Sequence, residues 1–471
     1  MIKRLKSKTP RATSIGLTQK KELPYVIMFF ALASILTSFI ALQGTSPISV
    51  FIIGEIIIWL FIIDFSRTKI LMHVYQVILV YFYFSLVVFH SFNDKSDEFY
   101  YIAYFVGVLH CLFFVVGYHL ISAKKIVRPV APKQNMLSLA YVVYGVSLGL
   151  YAAFGSSVND YSYQWLSYEE SQALPIYKIY ISMIYSYIFK MVIYLTSHPV
   201  IITTLSFFGN LINYPMSGVK GPMVAALLSF FVVIQLYLYR ISFRGFVFLG
   251  IIGSGFGFLL IGSTAFRGEL SVQSLISTLS NVELLTGRWR YFIGESPESR
   301  HIRYTADIMR MIENGVTGFR YGFDHYRFFL YPFKGFVSGW ELSSYNQYPV
   351  LLTGYNVSAG LYIGLAGELF WNFGWFFPLF SLAYGVSLKW ITNYAFSGVF
   401  LGLVVYLTMF HGLVWHLYRG ETNAFTMTII ALVLAMIIMK LILKVRQVKL
   451  LVFYITKFGF KRRSSGSVNH D

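Results

Sequence analysis

Long runs of apolar residues, separated by short polar segments, fill most of this chain. Each run is about 17 to 25 residues long, enough for one helix to cross roughly 30 Å of hydrocarbon. A further apolar stretch, Gly360 to Phe370, is too short to cross and is interpreted as re-entrant. The pattern predicts twelve transmembrane spans, near 23–43, 48–64, 70–90, 99–121, 136–155, 175–195, 199–214, 222–240, 246–264, 371–391, 397–414 and 422–443.

These spans divide the chain into five parts. A basic cytoplasmic tail (1–22) precedes spans one to nine (23–264), and a large extracytoplasmic loop (265–358) follows them. The re-entrant segment and spans ten to twelve (359–443) lead to a second basic cytoplasmic tail (444–471). We therefore predict an all-α polytopic membrane protein of about 12 transmembrane helices with one large extracytoplasmic loop.

Composition and the placement of charge support this topology. The sequence is 56% hydrophobic and 12% charged, with a mean hydropathy of +0.62, which excludes an ordinary soluble domain. The net charge of +18 would suit a nucleic-acid partner, but 24 of the 38 Lys and Arg lie in segments that are cytoplasmic when the N-terminus is inside. This positive-inside bias predicts that both termini are cytoplasmic and that nucleic acid is not a partner.

Other sequence features narrow the class of protein. The one cysteine, Cys111, excludes a disulfide framework, and no Cys/His cluster has zinc-site spacing. The first apolar run lacks a small-residue cleavage site, so we interpret it as a retained helix rather than a signal peptide. No internal repeat or matching pair of interrupted helices is visible, which argues against a transporter.

The large loop favours arginine over lysine. Arginine binds phosphate oxygens through a rigid fork, whereas lysine is a mobile point charge, so this loop is predicted to handle a lipid-linked phosphate. The loop also holds eight acidic residues, and most of its charges are interpreted as structural. Its nine basic residues are Arg267, Arg288, Arg290, Arg300, Arg303, Arg310, Arg320, Arg327 and Lys334.

One amphipathic helix is predicted inside this loop. It starts at Ser296-Pro297, with serine as the N-cap and proline at the first helical position, and it ends at Gly315. Its apolar residues, Ile302, Ala306, Met309 and Ile312, recur at helical spacing. The helix is expected either on the membrane surface or packed against the bundle, with Arg303, Asp307 and Arg310 forming intrahelical pairs.

Four motifs together resemble the Wzy-type polymerases of O-antigen and capsular repeat units. Their order and their spacing around one large outer loop are more specific than any one of them, and the resemblance covers the second half of the chain. They are SGVKGP (217–222), YGFDHYRFFLYP (321–332), GLAGELFWNFG (364–374) and WHLYRGETNAF (415–425).

The resemblance implies a glycosyltransferase fold of the C type in the bacterial inner membrane. It also implies transfer of a growing glycan from undecaprenyl diphosphate to an incoming lipid-linked repeat unit at the outer face. The implied partners are undecaprenyl-diphosphate-linked oligosaccharides and membrane lipids, with a chain-length regulator and a flippase as further candidates.

Basic residues are the candidates for binding the diphosphate. A leaving diphosphate needs preorganised positive charge, and the chain shows no DxD-like pair for a divalent ion, so we predict no metal and no cofactor. Lys220 lies at the tip of a glycine-rich turn, a common anion site. A role in anchoring a helix at the interface is an alternative for each candidate. They are Lys220, Arg267, Arg288, Arg290, Arg327 and Arg419.

The acceptor hydroxyl group needs a base, and Glu368 and His325 are the main candidates. Glu368 lies in an apolar stretch, where a carboxylate is costly unless it pairs with a cation or has a function. Asp324 and His416 are weaker candidates. The alternatives to a polymerase are an O-antigen ligase and a polysaccharide or lipid transporter, for which Glu55 is the main intramembrane candidate residue.

Overall fold

The computed structural model describes part of the chain, and that part is helical. It covers residues 47–88, 98–124, 126–127, 199–217, 220–238, 301–330, 363–420 and 429–438, with isolated positions at 184, 187–188, 191, 194, 348, 351 and 440–441. Within these ranges no β-strand forms, and the single β-bridge joins Val127 to Ser397.

The described ranges contain eleven α-helices. The first five are α1 (Pro47–Thr68), α2 (Val74–Tyr83), α3 (Glu98–Leu120), α4 (Pro199–Ser217) and α5 (Lys220–Tyr237). A π-helical segment, Phe84–Val88, continues α2. The others are α6 (His301–Glu313), α7 (Phe323–Leu330), α8 (Gly364–Phe373), α9 (Phe377–Ala395), α10 (Phe400–Arg419) and α11 (Ile429–Ile438).

Two helical stretches are long and apolar enough to cross a membrane. They are Glu98–Leu120, which is α3, and Gly364–Ala395, which joins α8 and α9 through a short 3-10 turn. Shorter apolar helices lie elsewhere in the described ranges, in α2, α4, α5, α10 and α11. Each overlaps a run that the hydropathy pattern marks as a predicted span.

The α8–α9 boundary differs from the sequence prediction. A re-entrant stretch was expected at 360–370 and a span at 371–391, but α8 runs through Phe373 and α9 begins at Phe377. The break falls at Gly374, whose φ of 55° lies in the left-handed region that favours glycine. Beyond the break, the Phe373 and Phe380 rings stack at 3.5 Å. The hydrophobic pattern is continuous here, so only the glycine marks the break.

The α3–α9 pair forms the centre of the bundle. A Cβ atom built on Gly117 would overlap the Leu382 carbonyl oxygen, and one built on Gly385 would overlap the Phe114 carbonyl oxygen. The two backbones therefore touch where glycine removes the side chain, as is common between membrane helices. His110 Nδ1 and Ser381 Oγ, 2.7 Å apart, add a hydrogen bond across the same interface.

A buried polar network ties α1 and α2 to α3 and α9. Asp64 Oδ2 lies 2.6 Å from His73 Nε2 and accepts a hydrogen bond from Gln76 Nε2 at 2.9 Å. Lys389 Nζ on α9 lies 4.3 Å above the ring of Tyr118 on α3, and that ring stacks on a tyrosine ring of α2 at a centroid distance of 3.6 Å. Charged groups in an apolar bundle require such partners, so this network joins the four helices at one end.

The amphipathic helix predicted in the large loop is confirmed as α6. Ile302, Ala306 and Met309 are buried, and Arg310 Nη1 lies 3.0 Å from Asp307 Oδ1. Of the two expected placements, packing against the bundle is the observed one, with α6 lying on α3 and α8. The predicted start, at Ser296-Pro297, lies outside the described residues.

The α3–α9 approach predicts how glycine substitution affects stability. Gly385→Ala places a methyl group on the Phe114 carbonyl oxygen, so the backbones must separate, at an expected cost of about 3 kcal/mol. Gly318→Ala is the matched control because no heavy atom lies within 4 Å of its Cβ position. Thermal unfolding in detergent should show a lower Tm for Gly385→Ala alone. Equal Tm values for the two variants would contradict the close approach.

Candidate functional site

The C-terminal end of α8 is capped by a loop segment that is distant in sequence. The last carbonyl groups of a helix have no partner inside the helix and need donors from elsewhere. Here Arg320 N donates to Trp371 O at 2.9 Å, and Gly322 N donates to Asn372 O at 2.9 Å. Gly322 has a φ of 79°, and Phe373 occupies the space that a side chain there would need. The segment before α7 is therefore fixed to the end of α8.

A buried ion pair reinforces this attachment. Arg320 Nε donates to Asp324 Oδ2 at 2.7 Å, and Arg320 Nη2 donates to Oδ1 at 3.3 Å. The guanidinium carbon lies 5.1 Å from the Trp371 ring centre, near the negative end of the α8 dipole. Both side chains are almost fully buried. Asp324, a weaker base candidate, is thus held as the partner of Arg320.

Asn372 links this ion pair to the helix that carries Glu368. Its Nδ2 donates to Asp324 Oδ2 and to Glu368 O, each at 2.9 Å, and its Oδ1 accepts from Asp324 N at 3.2 Å. Asn372 is fully buried. Sequence reasoning missed it, although an asparagine between Trp371 and Phe373 in an apolar stretch was an available signal.

Glu368 is buried on α8 and lies against the end of α10. Its Oε2 would be 2.6 Å from a Cβ atom on Gly420, the residue that follows Arg419 and has a φ of 101°. The same Cβ atom would lie 3.1 Å from the Gly364 carbonyl carbon. The negative end of the α10 dipole disfavours a carboxylate, so a cation is needed nearby. The end of α10 therefore places the backbone of Arg419 next to the residue that Glu368 approaches.

His325 faces α9 from the loop helix α7. Its Nε2 lies 3.3 Å from the Tyr384 hydroxyl oxygen, and its ring centre lies 4.8 Å from that of Phe373. Nδ1 is buried and has no hydrogen-bond partner among the described residues. Burial lowers the pKa of His325 from 6.5 to about 4, and the negative charge of Asp324 opposes the shift. The ring is therefore neutral at pH 7.

Tyr384 connects His325 to α10. The Tyr384 ring centre is 5.2 Å from that of His416, which is buried one turn before Gly420. His416 O accepts the Gly420 N–H at 2.9 Å, which ends α10. Glu368 therefore lies beside the end of α10, and His325 is linked to the last turn of α10 through Tyr384.

The predicted basic residues are described less completely. Lys220 is the first residue of α5, Arg327 lies within α7, and Arg419 is the last residue of α10. Their side chains lie outside what is described, as do all atoms of Arg267, Arg288 and Arg290. Within the described ranges, no group of three His, Cys, Asp or Glu residues is arranged to hold a metal ion.

The lowered pKa of His325 predicts a pH-dependent stability. Between pH 6.5 and about 4, the unfolded chain binds a proton at this residue and the folded chain does not, so stability falls as pH falls. The free energy of unfolding at pH 5 should be about 1–2 kcal/mol lower than at pH 7. His325→Gln should remove this pH-dependent loss of stability. Tyr384→Phe should keep the loss because the histidine still titrates. Unfolding in detergent at the two pH values tests this, and an unchanged slope in His325→Gln would contradict it.

No protein-family model, curated protein or solved structure matches this chain.

Proposed function

We propose that this protein is an inner-membrane glycosyltransferase that polymerises lipid-linked oligosaccharide repeat units. It would transfer the growing glycan from undecaprenyl diphosphate to an incoming undecaprenyl-diphosphate-linked unit at the outer face. The single observation that carries the proposal is the buried carboxylate of Glu368 on α8, which lies against Gly420, the residue that follows Arg419 at the end of α10. The resemblance of four sequence motifs to Wzy-type polymerases supports the same reaction.

This reaction needs a base and a set of cations close together. The acceptor hydroxyl oxygen attacks the anomeric carbon, the C–O bond to the diphosphate breaks, and the diphosphate leaves with the bonding electrons. Glu368 would accept the hydroxyl proton, with His325 as the second candidate. Arg419 and Arg327 would stabilise the negative charge that develops on the diphosphate, together with Lys220, Arg267, Arg288 and Arg290.

The proposed topology has twelve transmembrane helices in a C-type glycosyltransferase-like arrangement. Both termini would be cytoplasmic, and the 265–358 loop would lie outside. The helical character of the described part and its two span-length helices support a membrane protein. The concentration of Lys and Arg in the predicted inner segments supports the orientation.

Two other functions share some of these features. An O-antigen ligase would use the same donor and the same cations but would transfer a glycan once, to a lipid A core. A transporter would need ionisable residues along an internal path, and Glu55, the main candidate, is exposed on α1. We therefore favour the polymerase over the transporter.

The products in reconstituted membranes test the function directly. Purified protein in vesicles with undecaprenyl-diphosphate-linked repeat units should give a ladder of glycans on the lipid carrier, separated by one repeat unit. The ladder should persist in EDTA because arginine and lysine provide the charge. A single transfer to a lipid A core without a ladder would identify a ligase. No transfer of either kind would overturn the proposal.

The role of Glu368 can be separated from that of the nearby ion pair. Glu368→Gln keeps the shape of the side chain but removes the base, so turnover should fall roughly 10²–10⁴-fold at nearly unchanged stability. Asp324→Asn leaves Arg320 buried without its charge partner and should cost about 3–5 kcal/mol of stability. Turnover and thermal unfolding, measured side by side, distinguish the two. A stable and fully active Glu368→Gln variant would exclude Glu368 and leave His325 as the base.

A further inference from the structure

The helix α1 has one buried side and one exposed side. Its buried residues recur three or four positions apart, which places them on one side of the helix, and α1 packs on α2 and its π-helical continuation. They include Ile53, Ile57, Leu60 and Asp64. The exposed residues lie on the other side, and we call them the Glu55 face: Glu55, Ile58, Trp59 and Ser66.

The buried polar network fixes the direction in which Glu55 points. Asp64 is 2% exposed, and its Oδ2 lies 2.6 Å from His73 Nε2 inside the bundle. Glu55 precedes Asp64 by nine positions, and at about 100° per residue this places the two carboxylates on opposite sides of α1. Turning Glu55 towards the bundle would break the hydrogen bonds of Asp64. Glu55 therefore faces outward as a consequence of the network.

Glu55 lies at membrane depth on a face that is otherwise largely apolar. It follows Pro47, the first residue of α1, by about 12 Å along the helix and lies within the predicted span 48–64. The nearby Ile58 and Trp59 are 41% and 60% exposed. A carboxylate at this depth is costly in a bilayer, and such groups usually pair with a partner. Within the described ranges, Glu55 forms no hydrogen bond or ion pair.

The carboxylate restricts what can cover the Glu55 face. Lipid hydrocarbon has no group that pairs with it. A second copy related by two-fold symmetry would bring two identical carboxylates together, and like charges repel each other. The predicted span that precedes α1, 23–43, contains no Lys, Arg or His. A helix that carries a basic residue at the same depth would cover the apolar residues and also pair with the carboxylate.

We propose that the Glu55 face binds a transmembrane helix of another protein that carries a lysine or an arginine at the depth of Glu55. Ile58 and Trp59 would provide the apolar contact, and exposed tryptophan is common among the residues that dominate binding. Glu55 would select the partner by its charge. The Glu55 face shares no residue with the site around Glu368, so this binding is separate from the proposed glycosyl transfer.

Association with model helices in vesicles tests the charge preference. The full-length protein would be reconstituted in vesicles of phosphatidylethanolamine and phosphatidylglycerol, together with leucine-rich transmembrane peptides that differ only at the central position. Energy transfer between a label on the protein and a label on the peptide measures association. The peptide with a central lysine should bind about 3- to 15-fold more tightly than the peptide with a central leucine, as expected for an interhelical polar pair.

Charge reversal makes the test specific for Glu55. Glu55→Gln should abolish the preference for the lysine peptide, and Glu55→Lys should transfer the preference to a peptide with a central glutamate. Glu313→Gln is the matched control because Glu313 is also exposed but lies on the loop helix α6. It should leave the preference unchanged. Thermal unfolding in detergent should give the same Tm for these variants and the unmodified protein.

A cysteine on the same face tests its depth. Ile58→Cys should react with a membrane-soluble maleimide but not with a water-soluble one, and the lysine peptide should slow that reaction. The native Cys111 is 2% exposed, so its own labelling should be slow in both reagents.

Four results would overturn the inference. Equal binding of the lysine and leucine peptides, or a preference that survives Glu55→Gln, would show that the carboxylate does not select a partner. Labelling of Ile58→Cys by the water-soluble reagent would place α1 outside the lipid. Energy transfer between two labelled copies, lost in Glu55→Gln, would make the occupant a second copy. Protection of Ile58→Cys by an undecaprenyl-diphosphate-linked repeat unit, but not by the peptide, would make the face part of a substrate path. The glycan ladder, measured in the same vesicles, reports on the proposed function separately.

Discussion

The need to pair every buried charge governs the arrangement of the site. Arg320 and Asp324 are both buried, and separating them would leave an uncompensated charge at a cost of about 3–5 kcal/mol. The same segment also caps α8, since the backbone N–H groups of Arg320 and Gly322 donate to its last carbonyl groups. Because α7 begins directly after this segment, the ion pair sets where His325 lies. A loop of many residues is thus fixed at one point by charge.

Close backbone approach is the second constraint, and glycine makes it possible. Packing between closely spaced helices depends on shape and on small residues. Gly385 brings α9 onto α3, and Gly367 brings α8 onto Thr305 of α6. Gly420 ends α10 against Glu368. Each of these glycines lies on an element that carries or borders a candidate site residue, so site geometry and helix packing have the same cause.

The hydrophobic pattern predicts a helix well where an apolar run or an amphipathic repeat has clear ends. The amphipathic repeat in α6 and the apolar run of α3 correspond to the observed elements. The α8–α9 break was misplaced because apolar residues continue through it and only the backbone angle of Gly374 interrupts the helix. Asn372 was missed as an organising residue because its partner Asp324 lies 48 residues away in sequence, and the Arg320–Asp324 pair was missed because its attachment to α8 is equally distant. Long-range pairing leaves no periodic signal, whereas Glu368 stands out as a lone carboxylate in an apolar run.

The two candidate bases differ in their electrostatic surroundings. Burial lowers the pKa of His325 to about 4, which leaves it neutral at pH 7 but a weak proton acceptor. Glu368 lies at the negative end of the α10 dipole, against Gly420, and this end of a helix favours a cation over an ionised carboxylate. In the proposed reaction Glu368 would therefore serve as the base, and His325 with Tyr384 would serve as a neutral hydrogen-bonding group.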